Sequence, residues 1–419
     1  MPRKPIPFPP SLANGLGSST ISTSNKSEKY AANVHDTDYR QSLGFRNIYI
    51  RRNDPPVKLI QRANRIISRS RASPEMDDDT AQQLVVKARK AENESEDVII
   101  QQLVPGIIPA MSMVPDSRLI SNVNQTWFNS VPVPVDRDLL TNPLPLPKPK
   151  PDVAFGYSET AFNHKQLRTI ELLVDQFGRS YAAPDQKVRF PFLEIEFKSQ
   201  VKNGTHYIAT NQAAGAGAVA LNGNIELIQR SFGMENFDYD EPQYFSISMD
   251  HQLVCVNVHW LKAPAEGGQH SFHVEGLSQH LLNDANGIRA VSRAIKNILD
   301  YGADTRLRTL RSALDAYRET VIHNREVANS QRKQGDEFLP KPQTPPPTRG
   351  TMPPPEDQVE GGESYEREDT ISRPSDKPVE PLQTDQQLRR AQTTALRQEQ
   401  SQVDVFSKPD VPRPDELRD

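Results

Sequence analysis

At 419 residues the chain has room for two or three average domains, yet 36 prolines beside a hydrophobic content of 35% leave apolar material for one ordinary core with polar flanks. A formal net charge of −4 excludes a histone-like polyelectrolyte, so any nucleic-acid contact has to come from a local basic patch. The single cysteine, Cys255, sits in the apolar run Leu253-Val254-Cys255-Val256; it excludes an internal disulfide and a cysteine zinc site, reads as a core thiol, and suits a reducing compartment.

The first thirty-six residues are rich in Ser, Asn, Gly and Pro without periodicity, and a disordered tail is expected over 1–36. The opening MPRKPIPFPP has no apolar signal core, and no run of about 18 apolar residues follows. No membrane association is therefore expected, and the protein reads as intracellular, nuclear or cytoplasmic. Arg3 and Lys4 fit a targeting signal less well than chance in a polar tail.

From 37 to 72 the pattern turns basic and helical. Val57, Ile60, Ala63 and Ile67 fall at helical spacing, ringed by Arg62, Arg65, Arg69 and Arg71, with Pro55 and Pro56 placed for a start. A docking helix with a solvated basic face is favoured over a phosphate-contacting one. A second helix is predicted over 77–104, opened by Asp77, Asp78 and Asp79 and closed before Pro105. Its apolar face takes in Leu84, Ala88, Ala91, Ile99 and Leu103, with Glu92, Glu94, Glu96 and Asp97 between. Residues 105–151 are proline-rich, ending LPLPKPKPD, and read as extended chain that packs on something else.

A strand follows at 153–157, a helix at 164–177, and the strongest strand signal at 190–198. Next come a helix of small residues at 205–222 and strands near 243–249, 252–260 and 270–275. Two amphipathic helices close the domain, lined by Ile288, Val291, Ile295 and Leu299, then by Leu307, Leu310, Leu314 and Tyr317. Beyond 326 proline runs and polar residues mark a disordered tail to 419, in which 385–400 has too few apolar residues to fold alone. The expected organisation is thus a tail, one α/β (α+β) domain over 37–325, and a second tail. The tails offer a route to protein partners.

The segment that carries chemistry is Phe192-Leu193-Glu194-Ile195-Glu196-Phe197-Lys198. Strand alternation sends Leu193, Ile195 and Phe197 to the core and Glu194, Glu196 and Lys198 together to the other face. Three charges there are costly unless solvated, paired or holding a metal. Hydrolysis of a phosphodiester needs a hard cation on carboxylate oxygens and benefits from a positive group that orients water. Asp152 at one strand's start, with Glu196 and Lys198 ending the next, supplies that set. An E-x-K triplet arises by chance about once or twice in a chain of this length. The strand context lifts this one above Pro184-Asp185-Gln186-Lys187, which has no apolar strand before it.

The order helix, Asp-strand, Glu-x-Lys strand, helix, strands resembles the PD-(D/E)XK (restriction-endonuclease-like) nuclease superfamily. More narrowly, residues 39–320 resemble an uncharacterised family of domains of unknown function found in filamentous fungi. The matching runs are KPKPDVAFGYSE (148–159), RFPFLEIEFKSQ (189–200), NGTHYIATNQAAGAGAVALNG (203–223), FSISMDHQLVCVNVHW (245–260) and RAIKNILDYGADTRLRTL (293–310). The resemblance implies a mixed central sheet flanked by helices and a nuclease-like site. Asp152 and Glu196 would be metal ligands for Mg²⁺ or Mn²⁺, Lys198 the water-orienting cation, and Glu96 a further acid from the preceding helix. Gln212, on the helix after the motif, would face the site or a phosphate, or serve as a helix N-cap or in packing. DNA or RNA would be the substrate, and a catalytically silent scaffold for nucleic acid or protein is the alternative. The insertion of about forty residues between Asp152 and Glu196 is longer than the hairpin of many superfamily members.

Other signals are weaker. Gly215 and Gly217 lack the Lys-Ser/Thr of a P-loop and read as close helix packing. His259, His270 and His273 make an incomplete ligand set and read as surface strand histidines. Arg289, Arg293 and Lys296 read as a solvated helix face.

Overall fold

The computed structural model describes residues 31–71, 75–111, 114, 116–264 and 268–337. Residues 1–30 and 338–419, where the two expected tails mostly fall, lie outside the described residues, as does the segment 385–400. The strands are β1 (Ile48–Ile50), β2 (Leu119–Val123), β3 (Val153–Tyr157), β4 (Arg189–Phe197), β5 (Tyr244–Met249), β6 (Leu253–Lys262) and β7 (Ser271–Leu281). The α-helices are α1 (Tyr39–Gly44), α2 (Val57–Ser68), α3 (Asp78–Lys90), α4 (Glu96–Ile107), α5 (His164–Glu171), α6 (His206–Ser231), α7 (Ala285–Tyr301) and α8 (Leu307–Glu337). A π-helical turn, Gly302–Arg306, joins the last two. The compact body runs through Arg318, and from Glu319 a second unit continues.

The body is a mixed seven-stranded sheet, order β1-β7-β6-β5-β4-β3-β2. Hairpin-like neighbours pair antiparallel, whereas β4 and β5 run parallel because helix α6 carries the chain between them. Strand alternation decides what each face holds. Val153, Phe155, Leu193, Ile195, Phe197, Ile247 and Val254 share one core with α3, α4 and the apolar stripe of α7, and α2 and α3 dock on α7. The opposite face, with Ala154 and Tyr244, is covered by the small side chains of α6, among them Ala214, Ala216 and Ala218.

Several elements differ from expectation. The helix predicted over 77–104 is two helices, broken at 91–95. There Asn93 and Ser95 favour turn and cap conformations, and Pro105 lies inside α4 rather than beyond it. Strands β1 and β2 went unpredicted, and α8 continues past 326 to Glu337. Residues 31–36, assigned to the tail, are partly fixed: Ala32 N–H donates to Pro145 O at 2.9 Å and Ala32 is buried. Helix α5 is shorter than predicted, and α6 and β7 longer.

The proline-rich run before β3 is held by its carbonyls, since its prolines have no N–H to give. Pro149 O accepts from Trp127 N–H at 2.8 Å, and Trp127 is fully buried. That anchor delivers Asp152 to the start of β3. The long insertion does not disturb pairing, since Val153 faces Ile195 and Ala154 faces Glu194 across the antiparallel ladder. At the far end β4 carries Pro191. The ladder is irregular opposite it, and a Cβ on Gly156 would sit 2.7 Å from Arg189 O.

Candidate active site

Asp152, Glu196 and Lys198 come together where β3 starts and β4 ends. Lys198 Nζ donates to Glu196 Oε2 at 3.0 Å and lies 3.7 Å from Asp152 Oδ2. It also donates to Phe197 O at 2.7 Å. Asp152 Oδ2 in turn accepts from Phe197 N–H at 2.8 Å, which ties the two strand ends at the acid itself. The side chains of Glu196 and Lys198 are 3% and 8% exposed and that of Asp152 is 16% exposed. Of the three ways to make this face tolerable, solvation does not apply: it is roofed by α6, its charges are paired, and the cluster opens at its edge, through Asp152.

Burial sets the electrostatics. It pushes the Glu196 carboxyl up to about 8, with Lys198 opposing and Asp152 reinforcing the shift. Burial by itself would lower the Lys198 pKa, but Glu196 and Asp152 outweigh it and raise it, so the ammonium stays charged. Glu194 lies deeper, fully buried, and burial followed by repulsion from Glu196 raises its carboxyl well above the ordinary range. Tyr244 is among its polar neighbours, yet neither oxygen of Glu194 nor the tyrosine hydroxyl achieves hydrogen-bond geometry. Burial thus favours the neutral form of Glu194 in the polar layer under α6.

Glu96, the first residue of α4, is half-buried and its charge is felt by both Glu196 and Lys198. The local tie is Ser199, whose hydroxyl donates to Glu94 O at 2.7 Å and holds the entry to α4 against the end of β4. Gln212 lies further along α6. Its Oε1 is buried without a hydrogen-bond partner, and no hydrogen bond joins Gln212 to the three clustered residues. Among the described residues no three His, Cys, Asp or Glu side chains gather in a metal-holding arrangement. Asp152 and Glu196 suit a hydrated Mg²⁺ or Mn²⁺, since Mg²⁺ commonly takes one or two carboxylates and keeps several waters.

Sequence reading missed His206. The chain turns back after β4, Gly204 N–H donating to Ser199 O at 2.9 Å, and Thr205 caps α6 by accepting from Ile208 N–H. A Cβ on Gly204 would sit 2.9 Å from Ser199 O, so this turn has no room for a side chain. His206 then shares a hydrogen bond of 2.8 Å between Nδ1 and Ser248 Oγ, and Ser248 is the register partner of Glu196 on β5. Its Nε2 lies 3.2 Å from Asp250 Oδ2, at an angle too poor for a hydrogen bond. Burial would lower the His206 pKa, but Asp250 and Cys255 outweigh it and raise it to about 9. The signal that was available is the pair His206 and Asp250, but only the parallel register of β4 and β5 puts them beside Glu196.

The weaker signals resolve structurally. His259 and His273 are buried, not at the surface: His259 Nε2 meets Ser246 Oγ at 2.8 Å, and His273 stacks on Trp260 with ring centroids 4.3 Å apart. Asp185 is a turn residue, its Oδ1 accepting from Lys187 and Val188 N–H. Arg62 pairs with Asp238 and Glu241, Arg71 with Asp300, Arg289 with Asp78, and Arg293 with Glu75. A broad groove lined by His164, Arg168, Glu171 and Arg189 is separate from the acid–lysine cluster.

The profile of the domain of unknown function DUF7924 matches residues 83–314. The chain belongs to this family. No curated protein matches it significantly. The family match spans β2 to β7, and with them Asp152, Glu196, Lys198 and His206, while α1, β1 and α2 lie before it.

Proposed function

We propose that this DUF7924 protein is a metal-dependent nuclease of PD-(D/E)XK type, hydrolysing phosphodiester bonds of DNA or RNA. The observation that carries the reading is the convergence of Asp152 Oδ2 and Glu196 Oε2 on the Lys198 ammonium, at 3.7 and 3.0 Å. A divalent ion held by Asp152 and Glu196 would polarise the phosphate and acidify a bound water. Lys198 keeps its charge in this surrounding, and its role is to orient the attacking water and offset the charge that builds in the transition state. His206 adds a second cation beside Glu196, fixed by Ser248 and suited to a neighbouring phosphate oxygen.

The second reading is a silent scaffold of the same fold that binds nucleic acid or protein. It is favoured by two observations: Lys198 already pairs with Glu196, and no third donor joins the two acids among the described residues. Incubation of labelled DNA and RNA with the protein and Mg²⁺ or Mn²⁺, with a chelator control, decides between them. The nuclease reading expects cleavage that stops with the chelator; intact substrate under all metals supports the scaffold.

A further inference from the structure

Many arginines are paired with acids, among them Arg62, Arg69, Arg71, Arg289 and Arg293, whereas among the described residues no carboxylate forms an ion pair with Arg40, Arg51 or Arg52. All three precede the family match. Arg40 is placed by a hydrogen bond from its Nε to Asn211 Oδ1, 3.0 Å, and its guanidinium lies over the Tyr207 ring, 4.0 Å from the centroid. Arg51 is close enough for its charge to act on Arg40. Its backbone, at φ 49°, is held to β7 by an N–H bond to Val274 O at 2.9 Å. Arg52 lies over the Tyr49 ring at 4.9 Å. Tyr207 is 45% exposed and directly follows His206, which bonds the register partner of Glu196.

We propose that Arg40, Arg51 and the Tyr207 ring form a landing strip for a single strand of nucleic acid, phosphates on the guanidiniums and a base stacked on the tyrosine. The inference deepens the nuclease reading and rests on it for the place of cleavage. Two features select a single strand. Stacking needs an open base face, which a duplex hides, and a guanidinium already fixed across one side of the ring stiffens the platform and adds cation–π attraction. The overall charge of −4 gives no general attraction for polyanions, so unpaired arginines at the site's margin matter more. The strip is supplied by the segment before the family domain meeting the start of α6, so substrate choice is separable from the acid–lysine cluster.

The test is fluorescence anisotropy of labelled single-stranded DNA, single-stranded RNA and duplex DNA of one sequence, in chelator so that nothing is cut. Wild type, Tyr207→Ala, Tyr207→Phe and the double variant Arg40→Gln/Arg51→Gln are compared, with folding checked by circular dichroism. Single strands are expected to bind more tightly than duplex. Tyr207→Ala should lose about tenfold in single-strand affinity, the scale of one stacked base, and Tyr207→Phe should keep it. The double arginine variant should bind more weakly with a shallower salt dependence. Equal binding by Tyr207→Ala and wild type, a duplex preference, or no binding by wild type overturns the strip. Strip-dependent binding without any metal-dependent cleavage would sink the nuclease reading and leave the strip standing. Cleavage of single strands unaffected by Tyr207→Ala would do the reverse.

Discussion

The residues of the buried cluster divide by charge state. Lys198 is charged and enclosed, so Lys198→Ala leaves Glu196 and Asp152 facing each other without a counter-ion. Breaking a buried pair this way costs roughly 3 kcal/mol, which a urea unfolding curve of the variant measures. Glu194 is the contrasting case. Burial favours its neutral form, so the amide of Glu194→Gln should replace it with little change of charge or shape, and urea unfolding should register a difference below about 1 kcal/mol. A loss of several kcal/mol in Glu194→Gln would mean that the carboxylate is ionised and paired. His259 gives a pH signature. Burial holds it down to about 3 when folded, against 6.5 unfolded, with Ser246 Oγ and the Tyr244 ring as its neighbours. Between these values the unfolded chain binds the extra proton. The stability is therefore full above pH 6.5 and drains as pH falls toward 3, with a slope of up to about 1.4 kcal/mol per pH unit. Melting temperatures of wild type and His259→Gln across that range should converge at the acid end. Parallel curves would contradict the assignment.

At the level of elements, α6 decides what the polar sheet face can hold. Gly217 passes directly over His259, and a Cβ there would fall 2.1 Å from the imidazole Nδ1. Gly217→Ala should therefore destabilise by on the order of 2 kcal/mol through overpacking, and His259→Ala should relieve it. Additive losses in the double variant would show that the two do not meet. Much of this element's neighbourhood was legible in the sequence. Alternation in β4 placed Glu196 and Lys198 on one face, the KPKP run placed Asp152 at a strand start, and the small residues 213–218 pointed to close packing. What stayed hidden depends on contacts far apart in sequence. The three residues of β1 are too few for a periodic signal and exist as a strand because β7 pairs with them. The polar Ser121 and Asn122 of β2 mask a strand fixed by β3. The roof over Glu194, and the place of His206 beside Glu196, follow from a parallel crossover that no local pattern encodes.

Among the described residues, several arginines are spent on internal docking. Helix α2 read as a solvated basic face, yet its Arg62 and the following Arg69 and Arg71 reach acids of other segments. The helix is attached by Leu59, Ala63 and Ile67, all buried, and the ion pairs are partly exposed. Arg71→Ala should accordingly cost about 1 kcal/mol or less, whereas Ile67→Ala should cost about 2–3. Denaturant midpoints in the opposite order would make charge, not apolar burial, the main attachment. The family domain thus carries the acid–lysine cluster, and the segment before it carries Arg40 and Arg51. The most direct measurement of the central claim is Mn²⁺-dependent cleavage of labelled single strands by wild type and by Lys198→Ala, both shown to be folded. The account predicts cleavage by wild type and a loss of at least about a hundredfold in Lys198→Ala. Equal rates in the two proteins would remove Lys198, and with it the proposed active cluster, from the chemistry.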